Sequence, residues 1–164
     1  MQSFKIRQAN EDDAEAIGVA HRRSILDLAV KDYPTEIISE WGQIPTPDAV
    51  QRFKDAIRLG KEIVWVAEIS GTIEGFASMV LERNEIRAVY VTGSASRKGV
   101  GQALLIALED KAIELEIQKL GLRSSISAKS FYEKNGYKNL GKSFHKLRSG
   151  HEMDCFIMEK ILLV

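Results

Sequence analysis

Near residue 60 the spacing of apolar positions changes from the helical period to short β-prone runs. Residues 3–8 open as a short edge strand, with Phe4 and Ile6 alternating against Lys5 and Arg7. Asn10 with Asp13 three residues later reads as a variant capping box. The helix that follows sets Ile17, Ala20, Ser24 and Leu28 on one face. A second helical stretch starts at Thr35 and runs toward Trp41. The third has marked ends: Thr46 as N-cap, Pro47 at the first helical position, Gly60 beyond the last turn. Its inner stripe is Val50, Phe53 and Ile57.

Residues 63–69 form a nearly continuous apolar run, as expected of a strand buried on both faces. Ser70-Gly71 signals a tight turn, and residues 72–81 return as a second strand. Residues 85–91 make a third. A helix over residues 99–116 turns Leu104, Leu108 and Leu115 inward. Residues 120–124 are a short strand, and residues 128–135 a short helix stopped by Asn135-Gly136. Two last strands, residues 137–142 and 153–162, flank a polar loop. Three adjacent strands imply an antiparallel meander, and the later β-α-β step implies one parallel, right-handed crossover. The expectation is an α+β fold, with a mixed, mostly antiparallel central sheet flanked by helices. One domain spans residues 1–164, with no repeat or linker-like shift in composition.

Composition narrows the function. A chain that is 45% hydrophobic and 28% charged builds a globular core. Basic and acidic residues balance at 23 each, which removes any general pull toward nucleic acid or an anionic membrane. The first residues lack the apolar run of a signal peptide, and no stretch approaches the ~20 apolar residues of a membrane span. Cys155 is the only cysteine, so no internal disulfide forms; a reducing, cytoplasmic setting is expected.

The segment with the most chemistry runs from Val89 to Leu104. A strand enters a basic, glycine-containing turn and passes straight into a helix. Glycines let the backbone approach a bulky anion, and a helix start offers unpaired N–H groups and partial positive charge. Arg97 and Lys98 add full charges there, so the loop suits a pyrophosphate. It is no dinucleotide fingerprint, because Leu104 stands where a third glycine belongs, and no Walker A loop, because no Gly-Lys-Ser/Thr follows. A plain strand-to-helix turn with incidental basic residues is the alternative.

Ser96-Arg97-Lys98-Gly99-Val100-Gly101, followed by Gln102, resembles the acyl-CoA-binding motif of the GNAT superfamily, Gln/Arg-x-x-Gly-x-Gly/Ala, with Ser96 in place of Gln or Arg. A second segment, from Leu120 through Ser127 to Phe131-Tyr132-Glu133-Lys134-Asn135-Gly136-Tyr137, is similar to the family's late strand and short helix. Many relatives carry Asn where Ser127 stands. The resemblance runs from about Ile63 to the C-terminus and implies a splayed acyl-CoA cleft. It further implies acetyl-CoA as cosubstrate and transfer of its acetyl group to a primary amine of a small molecule or peptide, with no metal. Val89 and Val91 would offer backbone groups to the pantetheine arm, residues 96–102 would cradle the phosphates, and Ser127 would contact CoA. Tyr132 would act as acid toward the departing thiolate, since a phenol of pKa ~10 is protonated at neutral pH. As a base, Glu85 at the start of the motif strand, Glu82 just before it, or water is open, with a solvated strand-end charge as the other reading of the two carboxylates.

Other residues carry two readings. His21, Tyr33 and Trp41 either line the acceptor pocket or pack as core. His145, His151 and Cys155 mimic metal ligands but match no compact finger spacing. Arg22-Arg23 reads as a solvated helix face. A homodimer is compatible with all of this. A non-catalytic acyl-CoA-binding or partner-binding module competes with the enzyme reading, and turnover of acetyl-CoA with amines separates the two.

Overall fold

The computed structural model describes residues 3–162. Strand β1 (Lys5–Gln8) leads into a capping box in which Asn10 and Asp13 bond each other's backbone. Asp13 also takes two bonds from Arg7, at 2.7 and 2.8 Å, which ties β1 to helix α1 (Ala14–Leu28). Ile17, Ala20 and Ser24 are buried on α1 as read. Leu28 is not: it is 37% exposed at the end of the helix. Ile25 and Ala29 take the inner positions, against Tyr33 and helix α2 (Thr35–Trp41). Helix α3 (Pro47–Arg58) begins on the Thr46 hydroxyl, which accepts from the Ala49 amide at 3.2 Å. Its chain leaves through Gly60, in the left-handed region at φ 67°. Val50, Phe53 and Ile57 are only half-buried, because their stripe faces a cavity and helix α1.

Strands β2 (Glu62–Ile69) and β3 (Thr72–Val80) form a hairpin. Ser70 and Gly71 both adopt positive φ, the turn that matches strand twist. Successive β2 residues enter opposite cores. Ile63, Ala67 and Ile69 pack on one face, Val64 and Val66 on the other, which explains the unbroken apolar run. Strand β4 (Glu85–Val91) follows, then helix α4 (Val100–Glu114), strand β5 (Lys119–Ser125), helix α5 (Lys129–Lys134), β6 (Lys138–Lys146) and β7 (Glu152–Ile161). Leu104 and Leu108 are buried on α4, but Leu115 is 44% exposed, since the helix ends at Glu114 and Ala112 supplies the last inner contact.

The sheet order is β1-β2-β3-β4-β5-β7-β6, antiparallel except at β4–β5. Helices α4 and α5 cover one face; α1 and α3 cover the other. The parallel pair meets only at Glu85–Gly121 and Ile86–Leu122, then diverges. That divergence is the splayed cleft, and it leaves the β5-facing backbone of β4 without ladder partners from Arg87 onward. A bulge in β4 makes Arg87 the extra residue, since Ser78 pairs with Ala88 and Met79 with Ile86. Among the described residues, no helix is long and apolar enough to cross a membrane.

Candidate active site

The turn after β4 is held from below. Thr92 is buried and donates its hydroxyl to the Glu74 carboxylate. The Gly93 amide donates to Asp27 at 2.9 Å, and a Cβ at Gly93 would stand 2.8 Å from the Asp27 Cβ. Only glycine admits that approach. Arg23 pairs with Glu74 at 3.2 Å, so one of the two helix-face arginines fastens α1 to the turn.

Above this anchor the backbone opens. Arg97 and Gly99 are left-handed, at φ 58° and 82°, on either side of Lys98. Alternation of this kind makes amides converge into an anion-binding nest. Gly99 caps α4 without a side-chain acceptor, so the first-turn amides stay unclaimed. Among the described residues, Ala103 is the first amide after Ser96 to find an acceptor, the Gly99 carbonyl at 3.0 Å. Six successive N–H groups, residues 97–102, therefore have no acceptor among the described residues, at the positive end of a fifteen-residue helix. Ser96 turns its hydroxyl back to the Gly93 carbonyl at 2.8 Å, and Lys98 reaches the Ser94 carbonyl at 2.8 Å. Val100 is core. Val89 and Val91 are half-buried against α4, with Gly101 beside Val91 and Phe131. Gln102 is exposed.

Across the cleft, Tyr132 is buried between Phe131 and Tyr137, at ring distances of 5.2 and 5.6 Å. Its hydroxyl has no hydrogen-bond partner among the described residues. Burial, then the nearby Tyr90 phenol, pushes its pKa well above the usual value, so it stays a proton donor. Ser127 donates to Asp32 at 2.7 Å, which ties the α5 turn to the segment after α1. Tyr33 reinforces this strap: its hydroxyl donates to the Asp154 carbonyl at 2.6 Å and accepts from the Ile126 amide at 2.8 Å.

On the opposite face of β4 lies a cavity of about 430 Å³, within the range of small-ligand sites. Ser78, Ala88 and Tyr90 form its floor, with Ile17, His21 and Phe53 on its walls. The bulge brings Arg87 to the same side, where it pairs with the buried Glu62. Glu62 Oε2 is buried with no partner among the described residues. His21 packs edge-on to Tyr90 at 4.6 Å, and burial, then Arg87, pushes its pKa down to about 4. Trp41 also lines the cavity, while Tyr33 packs behind it at 5.5 Å.

The structure brings the loop at residues 96–102, β4 and Tyr132 together at the splay, with His21 and Trp41 across β4. It does not bring Glu85 there. Glu85 stands at the closed end of the β4–β5 pair, 3.6 Å from Arg83, and Glu82 is exposed in the turn before it. His145 and His151 are exposed while Cys155 is buried, and no cluster among the described residues could hold a metal. Reading the sequence missed Glu62, Arg87 and the Asp27 and Asp32 anchors. A charge at the start of an apolar run was the available signal for Glu62.

Solved structures share this architecture. A GCN5-related N-acetyltransferase from Rhodopseudomonas palustris superposes with a TM-score of 0.85 at 26% identity, covering 99% of this chain and 98% of its own. The PaiA N-acetyltransferase of Thermoplasma acidophilum, in complex with coenzyme A, gives 0.77 at 23% identity over 97% and 99%. The YncA acetyltransferase of Salmonella typhimurium, with acetyl-CoA, gives 0.72 at 21% identity over 99% and 95%. No curated protein sequence matches the chain. The family model of the acetyltransferase (GNAT) domain, however, matches residues 29–152, from the end of α1 to the start of β7. With more than half of its length matched, this chain belongs to the GNAT acetyltransferase family.

Proposed function

We propose that the whole chain works as one N-acetyltransferase unit, moving an acetyl group from acetyl-CoA to a primary amine of a small molecule or peptide. The observation that carries this is the row of unclaimed amides at residues 97–102 beside the opened edge of β4. The first is a row of donors and the second an edge of alternating donors and acceptors, both without partners among the described residues, which fits a phosphate-bearing, amide-bearing ligand. Relatives of the same fold hold coenzyme A and acetyl-CoA. The buried, free Cys155 fits a cytoplasmic setting.

In this reading the six amides bind the pyrophosphate, with Arg97 and Lys98 adding charge. The β4 backbone at Val89 and Val91 pairs with the pantetheine amides. When bound, acetyl-CoA supplies an activated carbonyl, so the amine forms the carbon–nitrogen bond as the carbon–sulfur bond breaks. Tyr132 gives the departing sulfur its proton. His21, neutral at pH 7, and Glu62 are proton acceptors on the amine side. Ser127, already engaged with Asp32, positions the α5 turn and leaves CoA to the backbone.

The test is calorimetry and thermal unfolding with CoA, followed by an amine screen with acetyl-CoA. A hundredfold excess over Kd should stabilise the fold by about 2.7 kcal/mol. No heat and no shift at saturating CoA would refute the reading. Binding without turnover of any amine would leave the non-catalytic module instead.

A further inference from the structure

The charges around the acceptor cavity are unequal. Arg52, Arg87 and Arg148 line it against one carboxylate, Glu62. His21 adds no charge at neutral pH. Among the described residues, Arg52 and Arg148 have no ion-pair or hydrogen-bond partner. Glu62 spends one oxygen on Arg87 and keeps the other buried and unpartnered. A buried carboxylate oxygen without a donor is unfavourable, so the site would gain from a ligand that brings one.

Arg87 is the exposed half of its pair: its side chain is 59% exposed and that of Glu62 6%. A simple amine could replace it at Glu62, but would leave a third arginine of the exposed rim without a counter-charge. A simple acid could draw Arg87 away, but would strip Glu62 of its only cation. A molecule holding both groups satisfies both sides, giving its ammonium to Glu62 and its acid to the arginines. Apolar walls at Ile17, Val50, Phe53 and Phe76 suit an apolar remainder. A polyamine would meet a lining of net positive charge.

We infer that the acceptor is an amine carrying its own carboxylate, an apolar amino acid or short peptide; the inference rests on the acetyltransferase reading above. Glu62 holds the ammonium beneath the β4 bulge and receives its proton before attack. Arg52, Arg87 and Arg148 hold the carboxylate.

Matched pairs test this: phenylalanine against phenethylamine, leucine against isoamylamine, with spermidine as the polycation. Rates are compared per unprotonated amine, using the wild-type protein and acetyl-CoA. The acid-bearing member should win in kcat/KM by about tenfold or more, the worth of one charge-assisted hydrogen bond. Arg52→Ala and Arg148→Ala should each narrow that ratio. A decarboxylated amine or spermidine used as well as the amino acids overturns the inference and leaves the acetyltransferase standing. Calorimetry on the CoA complex is the second readout: if neither amino acid gives heat or turnover, the acceptor class is wrong. Failure of CoA itself to bind removes the reading beneath it.

Discussion

Gly101→Glu tests the proposed phosphate loop apart from every other feature of the fold. Gly101 is the second residue of α4 and lacks the positive φ that would forbid a side chain. A Cβ there would sit 3.3 Å from Phe131 Cε2, 3.5 Å from Cζ and 3.6 Å from Val91 Cγ2. The Phe131 ring must give by a few tenths of an ångström, and it is only half-buried. Two terms offset that crowding. Removing a helical glycine is worth up to ~1 kcal/mol, and an acidic residue in the first turn of a helix gains roughly 0.3–1 kcal/mol. Net stability should stay within about 1 kcal/mol of wild type, a shift in Tm of roughly 2–4 °C for a chain of this size.

Binding should collapse. A carboxylate about 4 Å from one phosphate charge, at an effective dielectric constant near 20, is repelled by about 4 kcal/mol, roughly a thousandfold in Kd. Gly101→Gln has the same bulk without the charge. Calorimetry with CoA, after confirming cooperative unfolding of each variant, should show Gln binding far tighter than Glu. Equal losses in the two would make the effect steric and refute the electrostatic argument. Normal affinity in Gly101→Glu would put the pyrophosphate elsewhere.

Tyr132→Phe should lower kcat about 10²-fold or more with little change in CoA affinity, because the ring still packs and only the proton donor is lost; unchanged kcat in single-turnover assays would reduce Tyr132 to a packing residue. His21 makes stability depend on pH: the unfolded chain takes up its proton near 6.5 and the folded one only near 4. Its contribution is complete above pH 6.5 and lost as pH falls toward 4, by at most about 3 kcal/mol. Urea midpoints from pH 7 to 4 should fall less steeply in His21→Gln, and identical slopes would count against a buried neutral imidazole.

What the sequence disclosed follows from how locally each feature is determined. The Ser70-Gly71 hairpin, the ends of α3 and the loop at 96–102 depend on a few adjacent residues, and all three formed where expected. Leu28 and Leu115 continue a helical stripe on paper, yet each sits where its helix ends and the chain turns away. Glu85 looked like a site residue because it opens the motif strand; only the short β4–β5 register shows that it lies at the closed end. Glu62 and Arg87 are 25 residues apart and meet through the β2-β3-β4 register and a bulge. The one-residue bulge puts Arg87 and Ala88 in succession on the cavity side, which strict alternation along β4 does not foresee. Ser127 bonds Asp32 across 95 residues, which no local pattern reveals.

The two halves of the site differ in the same way. In the proposed reading the donor side is one peptide that binds through its backbone amides, so it depends little on which side chain stands at Ser96. The acceptor side draws on α1, α3, β2, β3 and β4, and its character lies in which charges remain unpaired once those elements pack. Strand β4 is the wall between them: Val89 and Val91 face the α4 core, Ala88 and Tyr90 the cavity. The splay opens along that wall from Arg87 onward. In the proposed reading, changes in α3 or β2 alter which amine is accepted without touching the amides at 97–102. The chain keeps the architecture of its structural relatives at only 21–26% identity, which is expected when fold depends on packing and specificity on the few side chains that line a cavity.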